Sequence, residues 1–410
     1  MLFKRKVLAK IMDYMDDREA IVIQGARQVG KTSIMKLIMQ KLEERGIIKD
    51  RLIYMDLEDF KLLKICNDGS DSLLNYIDFK YGGKEKVYLL IDEIQYLDNP
   101  SSLIKLLCDH HAQRIKLIVS GSSTFDIKKK FKDSLVGRIF IFPVYPLDFE
   151  EFLWFRGWEG NIKSNYPDVL NDTIKPFFLE YLTHGAYPEV TKLNAVEKKT
   201  NYLQHIIELY IKKDIRDIGN IRNIDKFNNL LRYLADMSGE MLIIENVSND
   251  LGIFKDTVNE YIFLLENTYI ACRISPFYRN IKTELKKTPK IFLYDTGIMN
   301  TLRLRGAEVP PDGKTFETGV CSLLLKKMGK ERLKYWRTSN KQEIDFIVMG
   351  ETADGLLGYE VKKKYPGEPS AFGYFKTQYP GSGLNVVSLE GRAKTGKSRE
   401  FVYPWEIYRE

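Results

Sequence analysis

The feature that most constrains this chain is a glycine-rich loop placed between a short apolar segment and a helical segment. Residues 21–23 are apolar, and residues 25–32 then read Gly-Ala-Arg-Gln-Val-Gly-Lys-Thr, a full match to the pattern G-x-x-x-x-G-K-[ST]. Residues 33–46 follow with apolar side chains at helical spacing. A strand, this loop and a helix in that order are the context that identifies a phosphate-binding loop.

The residue types of the loop suit this chemistry. Gly25 and Gly30 let the backbone curl so that successive N–H groups face one anion, and the start of the helix adds partial positive charge. Lys31 can place its ammonium on the β- and γ-phosphates, and the Thr32 hydroxyl can ligate Mg²⁺. The alternative is a glycine-rich turn that opens an ordinary helix. The predicted contacts with ATP are Gly25, Ala26, Arg27, Gln28, Val29, Gly30, Lys31, Thr32 and Ser33.

Two acidic residues follow a second apolar run. Residues 87–91 are apolar, as expected for a strand buried on both faces of a parallel sheet, and Asp92 and Glu93 come next. Residues 51–56 form another predicted strand. The acids would emerge at the carboxyl edge of the sheet, beside the phosphate loop. There we expect Asp92 to help hold Mg²⁺ through a water, and Glu93 to orient or deprotonate the attacking water. An Asp that only caps the next segment is the alternative.

Two further catalytic candidates follow the next predicted strand, residues 115–119. In the polar segment 120–124, Ser122 is predicted to sense the γ-phosphate or hold the water, although a turn rich in small residues has the same composition. Arg138 precedes a strand at residues 139–142. It can supply charge to the transition state, in its own chain or in a neighbouring subunit, or it can form a structural salt bridge.

These segments carry a resemblance to a known family. GARQVGKT, VYLLIDEIQ, IVSGSST and LVGRIFIFPVYPLDFEEF, in this order, resemble the AAA-type P-loop ATPase domain of a family of bacterial and archaeal ATP-binding proteins. The resemblance extends over nearly the whole chain. It implies that the ATPase domain is followed by a helical segment and by a C-terminal domain like that of restriction endonucleases.

The chain accordingly divides into four predicted domains. An α/β P-loop domain occupies residues 1–150, a helical segment 151–229, a winged-helix-like domain 230–289 and an endonuclease-like α/β domain 290–410. The third domain is predicted from the order helix, helix, turn, helix, strand. Its third helix is poor in basic residues, so both DNA binding and protein interaction stay open for it.

The C-terminal domain carries a dispersed set of acids. Glu317 lies in a predicted helix, Asp345 in a predicted strand, and Glu360 and Lys362 near the end of another strand. This order of residues resembles the restriction-endonuclease-like nuclease fold. Asp345 and Glu360 can chelate Mg²⁺, Glu317 can support the metal or a water, and Lys362 can aid attack on a phosphodiester. The alternative is a fold kept for packing or DNA docking, without cleavage.

Composition sets the remaining expectations. The net charge of +7 over 410 residues permits a nucleic-acid partner without requiring one. Four widely separated cysteines, no segment like a signal peptide and no long apolar run predict a cytoplasmic protein without a membrane partner. DNA, a homo-oligomer or another protein are candidate partners. We expect a Mg²⁺-dependent ATPase that couples nucleotide to conformational change; a slow nucleotide switch and an ATP-gated nuclease are the alternatives.

Overall fold

The computed structural model divides the chain into two units. It describes residues 2–82, 85–121, 135–160, 162, 169–211, 221, 223–278, 280, 282, 284, 287–304, 309–350, 355–391 and 401–409. The first unit comprises residues 1–145, 209–220 and 267–269, and the second comprises 146–208, 221–266 and 270–410. The four domain boundaries expected from the sequence stay predictions.

The first unit is built on a five-stranded sheet, β2-β3-β4-β1-β5, in which all neighbouring strands are parallel. All five strands expected from the sequence are therefore present, and β4 lies between β1 and β3. The elements are α1 (Lys6–Met12), β1 (Ala20–Gly25), α2 (Lys31–Glu44), β2 (Leu52–Asp56), α3 (Phe60–Asn67), α4 (Ser70–Tyr81), β3 (Val87–Asp92), α5 (Pro100–His110), β4 (Ile115–Gly121) and β5 (Ile139–Val144).

The apolar runs explain the parallel arrangement. Every residue of β1, β3 and β4 is buried, as expected for strands that are covered on both faces. Helix caps fix the connections: the Asp59 side chain accepts the backbone N–H of Lys61, and Asn99 accepts that of Ser102 before Pro100 opens α5. The loops that follow the strands therefore lie together at the carboxyl edge of the sheet.

The segment before β1 is helical only in its first part. Helix α1 ends at Met12, and residues 13–19 form turns before β1. Lys116 is 1% exposed, and its Nζ donates to the carbonyl oxygens of Tyr14, Asp17 and Glu19 at 2.6, 2.8 and 2.8 Å. One buried ammonium thus satisfies three carbonyl groups of this turn segment.

The second unit begins with helices and ends with a mixed sheet. Residues 224–274 contain three helices and a strand in the predicted order. The helices are α6 (Phe149–Phe155), α7 (Val169–His184), α8 (Pro188–Lys192), α9 (Val196–Leu209), α10 (Ile224–Asp236), α11 (Ile244–Leu251), α12 (Lys255–Asn267), α13 (Thr296–Leu302), α14 (Gly313–Met328) and α15 (Ser370–Gln378). Leu209 and Asn267, the last residues of α9 and α12, are counted with the first unit.

The described residues of the second unit form two sheets. Strands β6 (Ala271–Ile274) and β7 (Lys290–Leu293) pair antiparallel. The larger sheet has the order β12-β11-β10-β9-β8, with β8, β9 and β10 antiparallel and β11 and β12 parallel to β10. Its strands are β8 (Leu333–Arg337), β9 (Glu343–Met349), β10 (Leu356–Val361), β11 (Gly383–Val387) and β12 (Phe401–Val402).

Candidate functional site

The phosphate loop connects β1 to α2 at the carboxyl edge of the first sheet. β1 ends at Gly25, where a Cβ atom would lie 2.1 Å from the carbonyl oxygen of Val144, so only glycine fits against β5. Gly30 precedes α2 with a φ of 95°, in the left-handed region that favours glycine. Both glycines of the motif are therefore required by the backbone, and the loop leads directly into the start of a 14-residue helix.

The loop is also held from the amino-terminal segment. Arg5 is 6% exposed, and its guanidinium donates to the carbonyl oxygens of Val29 at 2.7 Å and Tyr145 at 2.9 Å. It joins the loop to the end of β5. Sequence reasoning missed Arg5, because nothing in the local pattern indicates a contact with a residue 24 positions away.

Lys31 points into the loop that precedes it. Its Nζ donates to the carbonyl oxygens of Gly25 at 3.1 Å and Ala26 at 2.9 Å, and the residue is 5% exposed. A buried ammonium is thus placed among the backbone groups of the loop. This is the position from which it can exchange carbonyl oxygens for phosphate oxygens.

Asp92 is the centre of a hydrogen-bond network beside the loop. Its Oδ2 accepts the Thr32 hydroxyl at 2.6 Å and the Tyr54 hydroxyl at 2.8 Å. Its Oδ1 accepts the Ser120 hydroxyl and the backbone N–H of Glu93, the latter at 3.1 Å. Asp92 is 2% exposed, so its carboxylate oxygens are surrounded by these donors rather than by solvent. The predicted partners Thr32 and Asp92 are therefore in direct contact.

Thr32 and Asp92 fit the demands of a Mg²⁺ site. Mg²⁺ prefers hard oxygen ligands, keeps several waters and is usually held by one or two protein groups together with substrate phosphates. A hydroxyl and a carboxylate 2.6 Å apart, next to a phosphate loop, supply such groups.

Two residues of this network were not predicted. Ser120, on β4, donates to Asp92 and also accepts the Glu93 N–H at 3.3 Å. The predicted residue Ser122 lies outside the described residues. The register pairs Ile91 with Val119, which places Ser120 next to Asp92, and this pairing follows from the fold rather than from a sequence motif. Tyr54 depends on β2 being the neighbour of β3, which the sequence does not reveal.

Tyr54 is a donor in this arrangement. Burial and the hydrogen bond to Asp92 raise the pKa of its hydroxyl far above the ordinary value, so the phenol stays protonated. The neutral phenol can therefore hold the Asp92 carboxylate by its hydrogen bond without placing a second negative charge beside it.

We expect Tyr54→Phe to weaken the apparent affinity for Mg²⁺ in ATP turnover. Loss of a partner that orients a metal-binding carboxylate typically costs ~10-fold in metal affinity. The Mg²⁺ concentration for half-maximal turnover should rise by about that factor, and the maximal rate should recover at high Mg²⁺. Tyr88→Phe is the matched control, because Tyr88 lies near the start of β3, at the end of that strand opposite Asp92. A fall in maximal rate with no change in Mg²⁺ dependence would contradict the positioning role.

Glu93 follows Asp92 in a left-handed backbone conformation, with a φ of 56°. Few residues other than glycine adopt this region without local strain, and strained positions often lie at functional sites. The Gln95 side-chain amide donates to Glu93 Oε2, and Glu93 is half-buried. The carboxylate is thus held at the sheet edge that carries the phosphate loop.

The remaining predicted residues of the first unit fall into two groups. Arg27, Gln28 and Val29 lie in the loop itself, and Ser33 is exposed on the first turn of α2. Arg138 lies elsewhere. It precedes β5, which runs parallel to β1 with Ile139 opposite Ala20, so it is at the amino edge of the sheet, opposite the loop.

The predicted role of Arg138 in its own chain is therefore wrong. A six-residue strand separates it from the loop edge, roughly 20 Å at ~3.3 Å per residue. Its guanidinium instead forms a salt bridge with Asp109, with Nε and Oδ1 2.6 Å apart. A role toward a neighbouring subunit stays a prediction.

A second cluster of predicted residues lies in the second unit. Lys362 Nζ is 2.7 Å from Glu360 Oε1 and 3.9 Å from Asp345 Oδ2, which also accepts the Val361 N–H at 2.8 Å. Glu317 meets these residues through an unpredicted one, Lys290. The structure thus brings together all four predicted residues, Glu317, Asp345, Glu360 and Lys362.

Burial shifts the titration of this second cluster. It raises the pKa of Glu317 to about 7 and that of Glu360 to about 6. Burial alone would lower the pKa of Lys290, but the carboxylates of Glu317, Asp345 and Glu343 raise it above the ordinary value. Among the described residues, no three His, Cys, Asp or Glu side chains converge in an arrangement suited to a metal ion.

No helix in the described part of the chain combines the length and apolar character needed to cross a bilayer. This holds for both units.

Comparisons with known proteins cover most of the chain. Residues 17–153 match the model of an AAA domain, and residues 176–308 and 312–408 match two domains of unknown function, DUF8612 and DUF4143. An uncharacterized protein of Haemophilus influenzae is 24% identical over 89% of this chain and 88% of its own length. One from Methanocaldococcus jannaschii is 27% identical over 81% and 73%.

Among solved structures, the Walker-type ATPase PABY2304 of Pyrococcus abyssi is similar at a TM-score of 0.49 and 14% identity, over 74% of this chain and 96% of that one. That likeness is too distant to carry an argument. The assignment follows from the parallel sheet, the loop geometry and the matched domain model. Residues 17–153 form an AAA-type P-loop ATPase domain.

Proposed function

We propose that the protein hydrolyses ATP in a Mg²⁺-dependent reaction and couples the nucleotide to a conformational change, with nucleic acid as its partner. The observation that carries the proposal is the contact of Thr32 with Asp92 at 2.6 Å, beside the buried ammonium of Lys31. These groups come from the start of α2 and from the end of the separate strand β3. Their convergence at one sheet edge matches the needs of phosphoryl transfer, which are positioning and charge stabilisation.

In this mechanism the loop amides and Lys31 hold the phosphates. The ammonium leaves the carbonyl oxygens of Gly25 and Ala26 for phosphate oxygens, which carry more negative charge. Thr32 and Asp92 would hold Mg²⁺, with Tyr54 and Ser120 fixing the carboxylate. The metal, when bound, neutralises charge on the β- and γ-phosphates.

Glu93 is the residue that would activate water. It is adjacent to Asp92 in sequence, and Ser120 and Asp92 both accept its backbone N–H. A carboxylate at this place can orient the water and take its proton. Gln95 engages one of the carboxylate oxygens, which favours slow basal turnover until this contact opens. That observation supports the second candidate, a slow nucleotide switch.

A packed route supports coupling to a conformational change. The Tyr269 hydroxyl lies 3.4 Å from Gln24 Oε1, one residue before Gly25, and its ring packs edge-on against Tyr145 at 5.5 Å. Its neighbour Thr268 exchanges a hydrogen bond with Tyr210 at 2.7 Å. Helix α12 ends at Asn267, directly before this segment. A shift of the phosphate loop would therefore reach the end of α12 through residues 267–269.

The proposed nucleic-acid partner rests on the basic net charge and on the order of elements from α10 to β6. The single lysine of α12, Lys255, is already paired with Glu245 at 2.6 Å. A phosphate contact there would have to compete with this exposed ion pair. A protein partner for the same elements and assembly into a homo-oligomer remain open.

The test is phosphate release by the full-length protein with Mg-ATP, with and without double-stranded DNA. We expect Mg²⁺-dependent turnover that rises with DNA and falls strongly in Asp92→Asn, which loses the charge that Thr32 and Tyr54 contact. Equal rates in Asp92→Asn and wild type would contradict the proposed site. Tight ATP binding with negligible turnover in both conditions would instead establish the switch.

A further inference from the structure

Lys290 is a buried cation among the acids of the second unit. It is the first residue of β7 and is 5% exposed. Its Nζ lies 2.6 Å from Glu343 Oε1, 3.2 Å from Glu317 Oε1 and 3.9 Å from Asp345 Oδ1. The three acids come from α14 and from β9, so one ammonium joins three structural elements.

The lysine and the acids come from different segments of the chain. Lys290 belongs to the segment 176–308, whereas the acids belong to 312–408, and the two segments match separate family models. The backbone of the first segment also reaches the cluster. Gly239 donates its N–H to Ile291 at 2.7 Å, and a Cβ on Gly239 would lie 3.3 Å from Glu317 Oε2. Residues of segment 176–308 therefore pack against the acids, which belong to segment 312–408.

The cluster carries almost as many positive as negative charges without a metal ion. Its four carboxylates are those of Glu317, Glu343, Asp345 and Glu360. Lys290 and Lys362 pair with them, and Arg337 lies 3.4 Å from Glu343, which leaves a formal charge of −1 when all are ionised. A divalent cation between Glu317 and Asp345 would stand close to the buried ammonium. Repulsion between like charges is strong where water is excluded, so the two cations compete for one place.

We propose that the Lys290 ammonium is the resident cation of this acidic cluster, which ties residues 176–308 to residues 312–408 in place of binding a divalent metal. The residues predicted to form a nuclease site then serve as an internal ion cluster. Glu360 Oε2 is buried without a hydrogen-bond partner, and it lies on the residue that Lys362 contacts. If a metal ion binds in this cluster, we expect Glu360 Oε2 to be one of its ligands, so Glu360→Gln is one of the test variants.

The test is Mn²⁺ binding to the nucleotide-free full-length protein, followed by electron paramagnetic resonance. Wild type and Asp345→Asn are expected to bind equal numbers of Mn²⁺, because Asp345 holds none. Lys290→Met should gain one Mn²⁺ per chain, and Lys290→Met/Asp345→Asn should lose it again. Lys334→Met, which breaks a half-buried ion pair with Glu284 elsewhere in this unit, should gain none.

Two results would overturn the proposal. One is a Mn²⁺ ion on wild type that disappears in Asp345→Asn or Glu360→Gln. The other is a folded Lys290→Met chain that gains no Mn²⁺. If Lys290→Met does not fold, rescue by Glu317→Gln together with Glu343→Gln supports the ion cluster, and failure of that rescue counts against it. Whether or not Lys290→Met folds, the comparison of wild type with Asp345→Asn and Glu360→Gln shows whether the wild-type cluster binds a metal ion.

Discussion

Lys31→Ala is expected to lower ATP turnover by ~100-fold or more, because it removes the one ammonium placed inside the phosphate loop. That ammonium is 5% exposed and contacts two loop carbonyls, so solvent cannot replace it at the same place. Binding should weaken as well, since the charge on the phosphates loses its partner in the ground state. The measurement is phosphate release together with ATP affinity by calorimetry.

Lys36→Ala is the matched control for this variant. Lys36 lies on the same helix, α2, but it is exposed. It removes the same charge without touching the loop, so turnover should stay near the wild-type rate. A Lys31→Ala protein that binds and hydrolyses ATP as wild type does would show that the loop does not hold the phosphates. Equal losses in both variants would point instead to the net charge of the helix.

The sequence predicted those parts of the nucleotide site that depend on neighbouring residues in the chain. Residues 25–33 form one continuous loop and helix start, so strand, glycines and helix can be read together. Asp92 ends a strand whose full burial is evident from its apolar run, and Glu93 follows it. The parallel sheet then brings the ends of these strands to one edge, whatever their order.

The parts of the site that sequence reasoning did not supply depend on strand register and order. Ser120 and Ser122 are equally polar, and only the pairing of β4 with β3 places Ser120 at Asp92. Tyr54 reaches Asp92 because β2 is the neighbour of β3. Arg138 precedes β5, and only the parallel pairing of β5 with β1 shows that this position is at the amino edge of the sheet, opposite the phosphate loop.

The acids of the second unit also show what the sequence alone does not predict. Glu317, Asp345, Glu360 and Lys362 were chosen by type and element, and the structure does bring them together. Their chemistry, however, depends on Lys290, which precedes the predicted set and has no spacing that links it to them. A set of acids can be read from a sequence, whereas the cation that neutralises them follows from tertiary packing.

Glu93→Gln is expected to separate ATP binding from hydrolysis. The change keeps the size of the side chain and removes the negative charge and the basic oxygen. Loss of a general base typically lowers the rate by ~100- to 10,000-fold. Lys31, Thr32 and Asp92 keep their contacts, so ATP affinity should remain close to that of wild type. Single-turnover phosphate release and ATP binding, measured on the same preparation, give the two quantities.

Glu58→Gln is the control for this second variant. Glu58 follows β2, two residues after Asp56 at the same edge of the sheet, but it is exposed and accepts the Tyr96 hydroxyl at 3.2 Å. Its neutralisation should leave both affinity and rate unchanged. If Glu93→Gln hydrolyses ATP at the wild-type rate, another group activates the water. The residues just after β4, which include Ser122, would then be the next to test, because they follow the strand that already supplies Ser120 to Asp92.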